Sequence, residues 1–343
     1  MTVLNIAMIG SDELARSIAK PSDQRDVHTY VNKESDAHGV RILSLIRPAK
    51  YPERLRPFLN ALSTSHAGLI EVTTIDATFG EALVSFSASG IDRGLVVINP
   101  QEGEWVDEEQ VKTMFTQAGL TSWTFEHNDG IHLRERFYSI LDNLRTTLDE
   151  AAKHDLVVPV DQYFNVKGIG LVAIGYVQCG TIQVHDEVVL LPAGGKGDVK
   201  SLQVMDDDVH HAKAGDRVGI ALRNAKEEHL NGDTMIVHPA LHDKRTGVDI
   251  PLCLDAHTIS EVHLKRSPFQ KKQLQAGDVV HASVDLQFVV GRVKKCDGDT
   301  LVVEWEHKLF IRREHPSQVL LAQLDSKPRI MGSCSLNQIE DSA

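Results

Sequence analysis

The spacing of apolar residues changes once along this chain, near Pro159, and no other feature limits its fold as much. Before that point, apolar runs of strand length alternate with stretches whose apolar residues recur at helical spacing. "VLNIAMI" reads as a buried strand and "SDELARSIA" as the helix after it. "DVHTYVN" and "GVRILSLI" read as strands, "PERLRPFLNALST" as a helix, and "AGLIEVTTI" as a strand. "FGEALVSFSA" (helix), "DRGLVVIN" (strand), "DEEQVKTMFTQAG" (helix), "SWTFEH" (strand) and a long helix from Ile131 to about Ala152 complete the series. Such alternation predicts a doubly wound, mostly parallel sheet with helices on both faces.

After Pro159 the runs are short, β-branched and separated by Gly, Asp and Lys. "YFNVKG", "GLVAIGYVQCG" and "DRVGIALRN" predict the antiparallel strands of a small barrel. A second barrel is expected after His242, from "DIPLCLDAHTI" to "QVLLAQLD". Within it, "CDGD" at Cys296–Asp299 is a hairpin signal, because Asp-Gly supplies the positive φ that such turns require. The tail beyond Leu336 is expected to fray.

Composition excludes several classes. A chain of 343 residues with 42% hydrophobic and 24% charged residues suits two or three globular domains. Its net charge of −12 argues against a broadly basic nucleic-acid binder such as a DNA-binding protein, and leaves room for a local basic patch. No apolar stretch has the length of a membrane span, and "MTVLNIAMIG" does not read as a signal peptide. Cys179, Cys253, Cys296 and Cys334 form no C-x-x-C pair, so reduced thiols in a cytoplasmic protein are expected, without structural zinc. His210-His211 beside Asp206–Asp208 is the densest cluster of metal-ligand types. Neighbouring residues of a strand point to opposite faces, so a polar turn is expected there and no metal.

The middle of the chain carries a family resemblance. Phe164, Gly168, Gly170, Gly175, Gly180 and Asp186 stand in one order, followed by "AGDRVG" (Ala214 to Gly219) and "NGD" (Asn231 to Asp233). This series resembles domain 2 of translational GTPases of the EF-Tu/SelB kind. Near the end, "RIMG" resembles the closing strand of such factors. The resemblance is most secure over residues 156–236 and points in particular to archaeal SelB-like factors, including a relative linked to pyrrolysine. It implies an α/β P-loop-GTPase-like doubly wound domain at 1–153, then two antiparallel β-barrels at 156–240 and 246–338.

Measured against that family, each nucleotide motif is altered. A working P-loop reads G-x-x-x-x-G-K-[ST]; its amides wrap phosphates, its Lys neutralises them and its hydroxyl ligates magnesium. The matching segment runs from Gly10 to Ser17, with Ala15 and Arg16 where the second Gly and the Lys belong. Asp12 and Glu13 add negative charge beside the phosphate position, which suits an ordinary helix start better than a nucleotide. Where the family has D-x-P-G-H, this chain has Arg47-Pro48-Ala49-Lys50-Tyr51. Where it has N-K-x-D, this chain has Asn99-Pro100-Gln101-Glu102. About twenty residues separate Ser17 from the third strand, too few for a long switch I. Gly10, Arg16, Ser17, Asn99 and Glu102 are therefore nucleotide-binding remnants. No catalytic residue is expected, nor hydrolysis of GTP, nor a cofactor, with GTP and magnesium entering only if the altered site still holds them.

The resemblance also places a pocket for the aminoacyl end of tRNA between the first domain and the next. Selenocysteine factors line it with an Asp-Arg pair and a later Arg; here Asp161, Gln162 and Arg217 stand there, with Phe164 close by. Two readings stay open: these residues receive an aminoacyl group, or Asp161 and Arg217 merely pair across the barrel. In the third domain Lys265, Arg266, Lys271, Lys272, Arg312 and Arg313 are candidates for tRNA phosphates, against a plain solvated surface. Three functions follow. The first is a factor that binds tRNA, aminoacyl-tRNA or the ribosome without GTP hydrolysis, in one fixed domain arrangement. The second is a divergent GTPase using Arg16, Ser17 and Asn99, and the third is a scaffold for another protein.

Overall fold

The structure is a computed structural model and describes residues 1–37, 39–243, 248–250 and 252–339. The first part runs β1 (Thr2–Ile9), α1 (Asp12–Ile18), β2 (Lys20–Gln24), β3 (Val27–Asp36), β4 (Gly39–Pro48), α2 (Arg56–Thr64), β5 (Ala67–Val72) and α3 (Ala77–Ser89). It continues with β6 (Gly94–Ile98), α4 (Glu108–Gln117), β7 (Thr124–Glu126) and α5 (Gly130–Ala151). The strands form a sheet in the order β2-β3-β4-β1-β5-β6-β7. β4, β1, β5, β6 and β7 pair in parallel, and β2 and β3 join one edge in antiparallel fashion. Helices cover both faces, so β5 is buried along its whole length.

The helix starts are set locally. Ser11, Asp76, Asp107 and Asp129 each cap a helix by accepting from backbone N–H groups two or three residues on. At the end of α3, Gly90 takes φ 77°, the left-handed turn that a side chain would resist. Gly68 lies against Trp123, where an added Cβ would stand 2.1 Å from the indole.

β8 (Val157–Val166), β9 (Gly170–Tyr176), β10 (Thr181–Gln183), β11 (Glu187–Leu191), β12 (Gly195–Val204), β13 (Asp207–Val209), β14 (His211–Lys213), β15 (Arg217–Arg223) and β16 (Met235–Val237) make the first barrel. Its seven-stranded sheet runs β11-β16-β8-β9-β15-β12-β13, closed by a β11–β12 pairing, while β10 and β14 pair in a separate two-stranded sheet. A short hairpin follows, β17 (Leu241–Asp243) with β18 (Val248–Ile250). The second barrel closes in the order β19-β22-β21-β20-β23-β24. Its strands are β19 (Leu254–Arg266), β20 (Val279–Val284), β21 (Gln287–Asp297), β22 (Thr300–Arg312), β23 (Val319–Ala322) and β24 (Ile330–Gln338). Gly298 sits in the β21–β22 turn at φ 60°, as the Asp-Gly signal requires. β24 continues past Leu336 to Gln338; residues 340–343, where fraying was expected, lie outside the described residues.

The α/β unit followed by two β-barrels agrees with the sequence reading, with one strand added. β2, "KPSDQ", is polar and mostly exposed, an edge strand without the alternation that marks strands. Ion pairs and hydrogen bonds join the three parts. Glu81 of α3 holds Arg329, which precedes β24: the Arg329 backbone N–H donates at 2.9 Å and its Nε at 3.0 Å. Asp233 Oδ1 accepts from Arg56 Nη2 of α2 at 2.8 Å and from the Phe288 backbone N–H of β21 at 3.2 Å. Asn5 of β1 donates to the Gly215 carbonyl at 2.9 Å, both buried.

Candidate functional site

The turn between β1 and α1 stands where a P-loop would. Its phosphate-facing groups are engaged by the protein itself. The Ser11 backbone N–H donates to Glu71 Oε2 at 2.5 Å, and Asn99 Nδ2 donates to Glu71 Oε1 at 2.7 Å. Glu71 belongs to β5 and is 6% exposed. It lies so close to Gly10 that an added Cβ there would meet Glu71 Cβ at 2.9 Å. Arg47 Nε donates to the Gly10 carbonyl at 2.6 Å. A carboxylate thus takes an amide that a phosphate oxygen would need, and a guanidinium braces the turn from the other side.

The other remnants are spoken for in similar ways. Arg16 pairs with Asp12, one helical turn away, and the Tyr30 hydroxyl also donates to Asp12. Those two hydrogen bonds, Tyr30 first and Arg16 second, hold the Asp12 carboxyl below its ordinary range. Ser17 Oγ donates to the Leu14 carbonyl at 2.7 Å, within its own helix. Glu102 lies exposed in the loop after β6. Tyr51 packs on Phe58 at 4.6 Å between ring centroids, and its hydroxyl meets Thr78 O at 3.1 Å and Glu81 Oε1 at 3.3 Å. Burial pushes its pKa up, and the partly buried ring packs against the core. Ser11 and Asn99 are thus hydrogen-bonded to Glu71, and Arg47 to the Gly10 carbonyl.

A cleft of about 610 Å³ opens where the three parts meet, within the size range of small-molecule sites. The β2–β3 hairpin supplies Asp23, Arg25, Asp26 and Thr29, and α2 supplies Arg56, Asn60 and Thr64. The first barrel contributes Asp161, Gln162, Tyr176 and Arg217, and the second contributes Leu286. Arg217 Nη2 meets Asp161 Oδ2 at 3.3 Å and Asp23 Oδ2 at 3.5 Å. Gln162 Nε2 donates to Asp23 Oδ2 and to Asp161 Oδ2, each at 3.2 Å, and its Oε1 accepts from Arg25. Asp161, Gln162 and Arg217 are thus brought together. Phe164, further along β8, is not among the lining residues. Beside Arg217, Asp216 accepts from the Lys213 backbone N–H at 2.9 Å, and burial raises its pKa to about 6.

The basic candidates of the third part divide. Lys265 and Lys271 are exposed and Lys272 is half-buried. Arg313 is exposed and pairs with Asp255 at 2.6 Å. Arg312 requires correction: its side chain is 13% exposed and pairs at 3.1 Å with Asp285, itself 1% exposed, so it is an internal tie and not a phosphate contact. Arg266 lies 2.7 Å from the half-exposed Asp299, with 15% of its own side chain exposed. Of the histidine cluster, His210 and His211 are exposed, while Asp207 meets Lys33 at 3.0 Å and Asp208 meets Gln203 at 2.9 Å.

The sequence reading missed Glu71, and a signal for it existed. A carboxylate on an otherwise apolar, fully covered strand must find donors, which marks it as an organising group. Asp23, Arg25, Arg56 and Asn60 carried no such signal, because only the folded hairpin and α2 bring them to the barrel.

Comparison with known proteins gives a consistent set of likenesses. The profile of elongation factor Tu domain 2 matches residues 170–236. An uncharacterised protein of Methanocaldococcus jannaschii is 25% identical over 333 residues, spanning 97% of this chain and 99% of that protein. The selenocysteine-specific elongation factor of the same organism is 37% identical over 228 residues, covering 58% of this chain and 48% of that factor. In fold, the chain is similar over its full length to 60% of bacterial selenocysteine-specific elongation factor EF-Sec, with a TM-score of 0.77 at 16% identity. It is also similar to translation elongation factor SelB of Methanococcus maripaludis in complex with the GTP analogue GPPNHP. The TM-score there is 0.74 at 19% identity, over 99% of this chain and 80% of that one.

Proposed function

The chain belongs to the EF-Tu/SelB-like family of translational GTPases, and on that premise we propose that it binds aminoacyl-tRNA or the ribosome without hydrolysing GTP. The observation that carries this reading is Glu71, which takes the Ser11 amide and Asn99 while the cleft at Arg217 stays open to a ligand. A protein whose phosphate turn is held by its own carboxylate has no γ-phosphate to sense. It keeps one arrangement of its three parts, where an active factor would rotate them.

In this reading the aminoacyl end of tRNA enters the cleft between the β2–β3 hairpin, α2 and the first barrel. Its ester is shielded from water by the walls, and Lys265, Lys271 and Lys272 of the second barrel meet tRNA phosphates. Two measurements test the proposal. Titration calorimetry with GTP and magnesium is expected to give no heat at millimolar nucleotide. Incubation with aminoacyl-tRNA is expected to slow ester hydrolysis, or the protein is expected to co-sediment with ribosomes. A folded sample that does neither overturns the reading, and heat from GTP favours a divergent GTPase instead.

A further inference from the structure

We propose that the cleft accepts an uncharged side chain, that it refuses an anionic one, and that Gln162 sets this choice. The inference rests on the reading that the cleft takes the aminoacyl end of tRNA, and it adds the class of aminoacyl group.

The charges lining the cleft balance. Asp23, Asp26 and Asp161 stand against Arg25, Arg56 and Arg217, and each guanidinium already faces a carboxylate. Arg25 lies 3.4 Å from Asp23, Arg56 lies 2.8 Å from Asp233, and Arg217 lies 3.3 Å from Asp161. An anionic group entering here would leave water without gaining an uncompensated cation, and it would sit beside the carboxylates of Asp23 and Asp161. A cationic group meets the mirror problem at the three arginines. A neutral group meets neither.

Arg217 is held in the wall by its ion pairs to Asp161 and Asp23, with its guanidinium over the Tyr176 ring at 5.8 Å. Gln162 keeps the balance. As a neutral amide it bridges Asp23 and Asp161 and accepts from Arg25, whereas an arginine there would add the cation that an anionic group needs.

The test uses one tRNA transcript acylated in turn with asparagine and with aspartate, two side chains of the same shape that differ in charge. Ester hydrolysis is followed against protein concentration. The asparaginyl ester is expected to be half-protected at a concentration at least tenfold lower than the aspartyl ester. Gln162→Arg is expected to narrow that ratio below about threefold or invert it, while circular dichroism and Tm confirm that the variant folds. Equal or better protection of the aspartyl ester overturns the inference, and so does a ratio unmoved by Gln162→Arg; in both cases the parent reading stands. Protection of neither ester, with no ribosome binding, defeats the parent reading and this inference with it.

Discussion

Replacing Glu71 with leucine removes the acceptor that organises the turn after β1. Two hydrogen bonds are lost, one from the Ser11 amide at 2.5 Å and one from Asn99 at 2.7 Å. Hydrogen bonds to a charged group contribute about 1.5–3 kcal/mol each, and recovery of the cost of burying the carboxylate offsets part of the loss. A net destabilisation of about 3 kcal/mol follows. Glu71→Gln keeps the shape and one acceptor oxygen, so it costs about 1–2 kcal/mol. For a unit of this size, 1 kcal/mol moves Tm by about 2–4 °C. Differential scanning calorimetry is therefore expected to show a fall of about 6–12 °C for the leucine variant and about 2–8 °C for glutamine. A leucine variant that melts within about 1 °C of the parent would refute the reasoning. It would mean that the Ser11 amide and Asn99 are satisfied without the carboxylate.

Asp216→Asn tests the buried carboxyl beside Arg217. Because burial raises its folded pKa from 3.8 to about 6, the protein loses stability as pH rises between those values. The variant is expected to match the parent near pH 4 and to exceed it by about 1–3 kcal/mol at pH 7, read from urea denaturation at both pH values. Arg312→Ala is expected to cost about 3–5 kcal/mol by stranding Asp285, whereas Lys271→Ala with Lys272→Ala is expected to weaken tRNA binding at unchanged Tm. The opposite pattern would return Arg312 to the surface. Gly68→Ala drives a methyl into Trp123, and a drop of about 1–3 kcal/mol is expected in thermal melts. At the Glu81–Arg329 tie, burial alone would raise the Glu81 pKa, but hydrogen bonds from Arg329 outweigh it and the net direction is down. That tie contributes above the ordinary glutamate range and fades as pH falls through the folded value, so Arg329→Met should flatten the acid limb of a stability–pH profile.

The fold was legible because periodicity is a local property. β5 is apolar apart from Glu71, and α5 carries its buried Leu133, Phe137, Leu141, Leu144 and Leu148 at helical spacing, so neither element needed distant information. β2 was illegible for the converse reason, as an exposed edge strand has no face to bury. The motif comparison found the altered positions of the nucleotide turn but not what fills it. Glu71 reaches Ser11 only because β5 lies next to β1 in the sheet, with Ile9 opposite Ile70. Within the cleft, Asp161 and Arg217 were visible as a pair in one barrel. Their third partner, Asp23, comes from a hairpin more than a hundred residues away, and side-chain polarity says nothing about that approach. Arg312 and Arg266 show the limit of reading charge from sequence: a basic run does not tell which of its members turn inward.

Asp233 Oδ1, shared by Arg56 and the Phe288 amide, has a kinetic meaning for whatever the cleft holds. Arg56 and Gly232 are part of the cleft wall, so the clasp that joins the three parts also frames the entrance. To spread that wall, one oxygen must give up two donors from two different parts together. On the proposed function, a tRNA end bound in this frame would leave by plain dissociation, with a dwell time equal to the reciprocal of koff. In a hydrolysing factor, a chemical clock sets that interval. On the proposed function it would be fixed here by the fit of the cargo to the cleft.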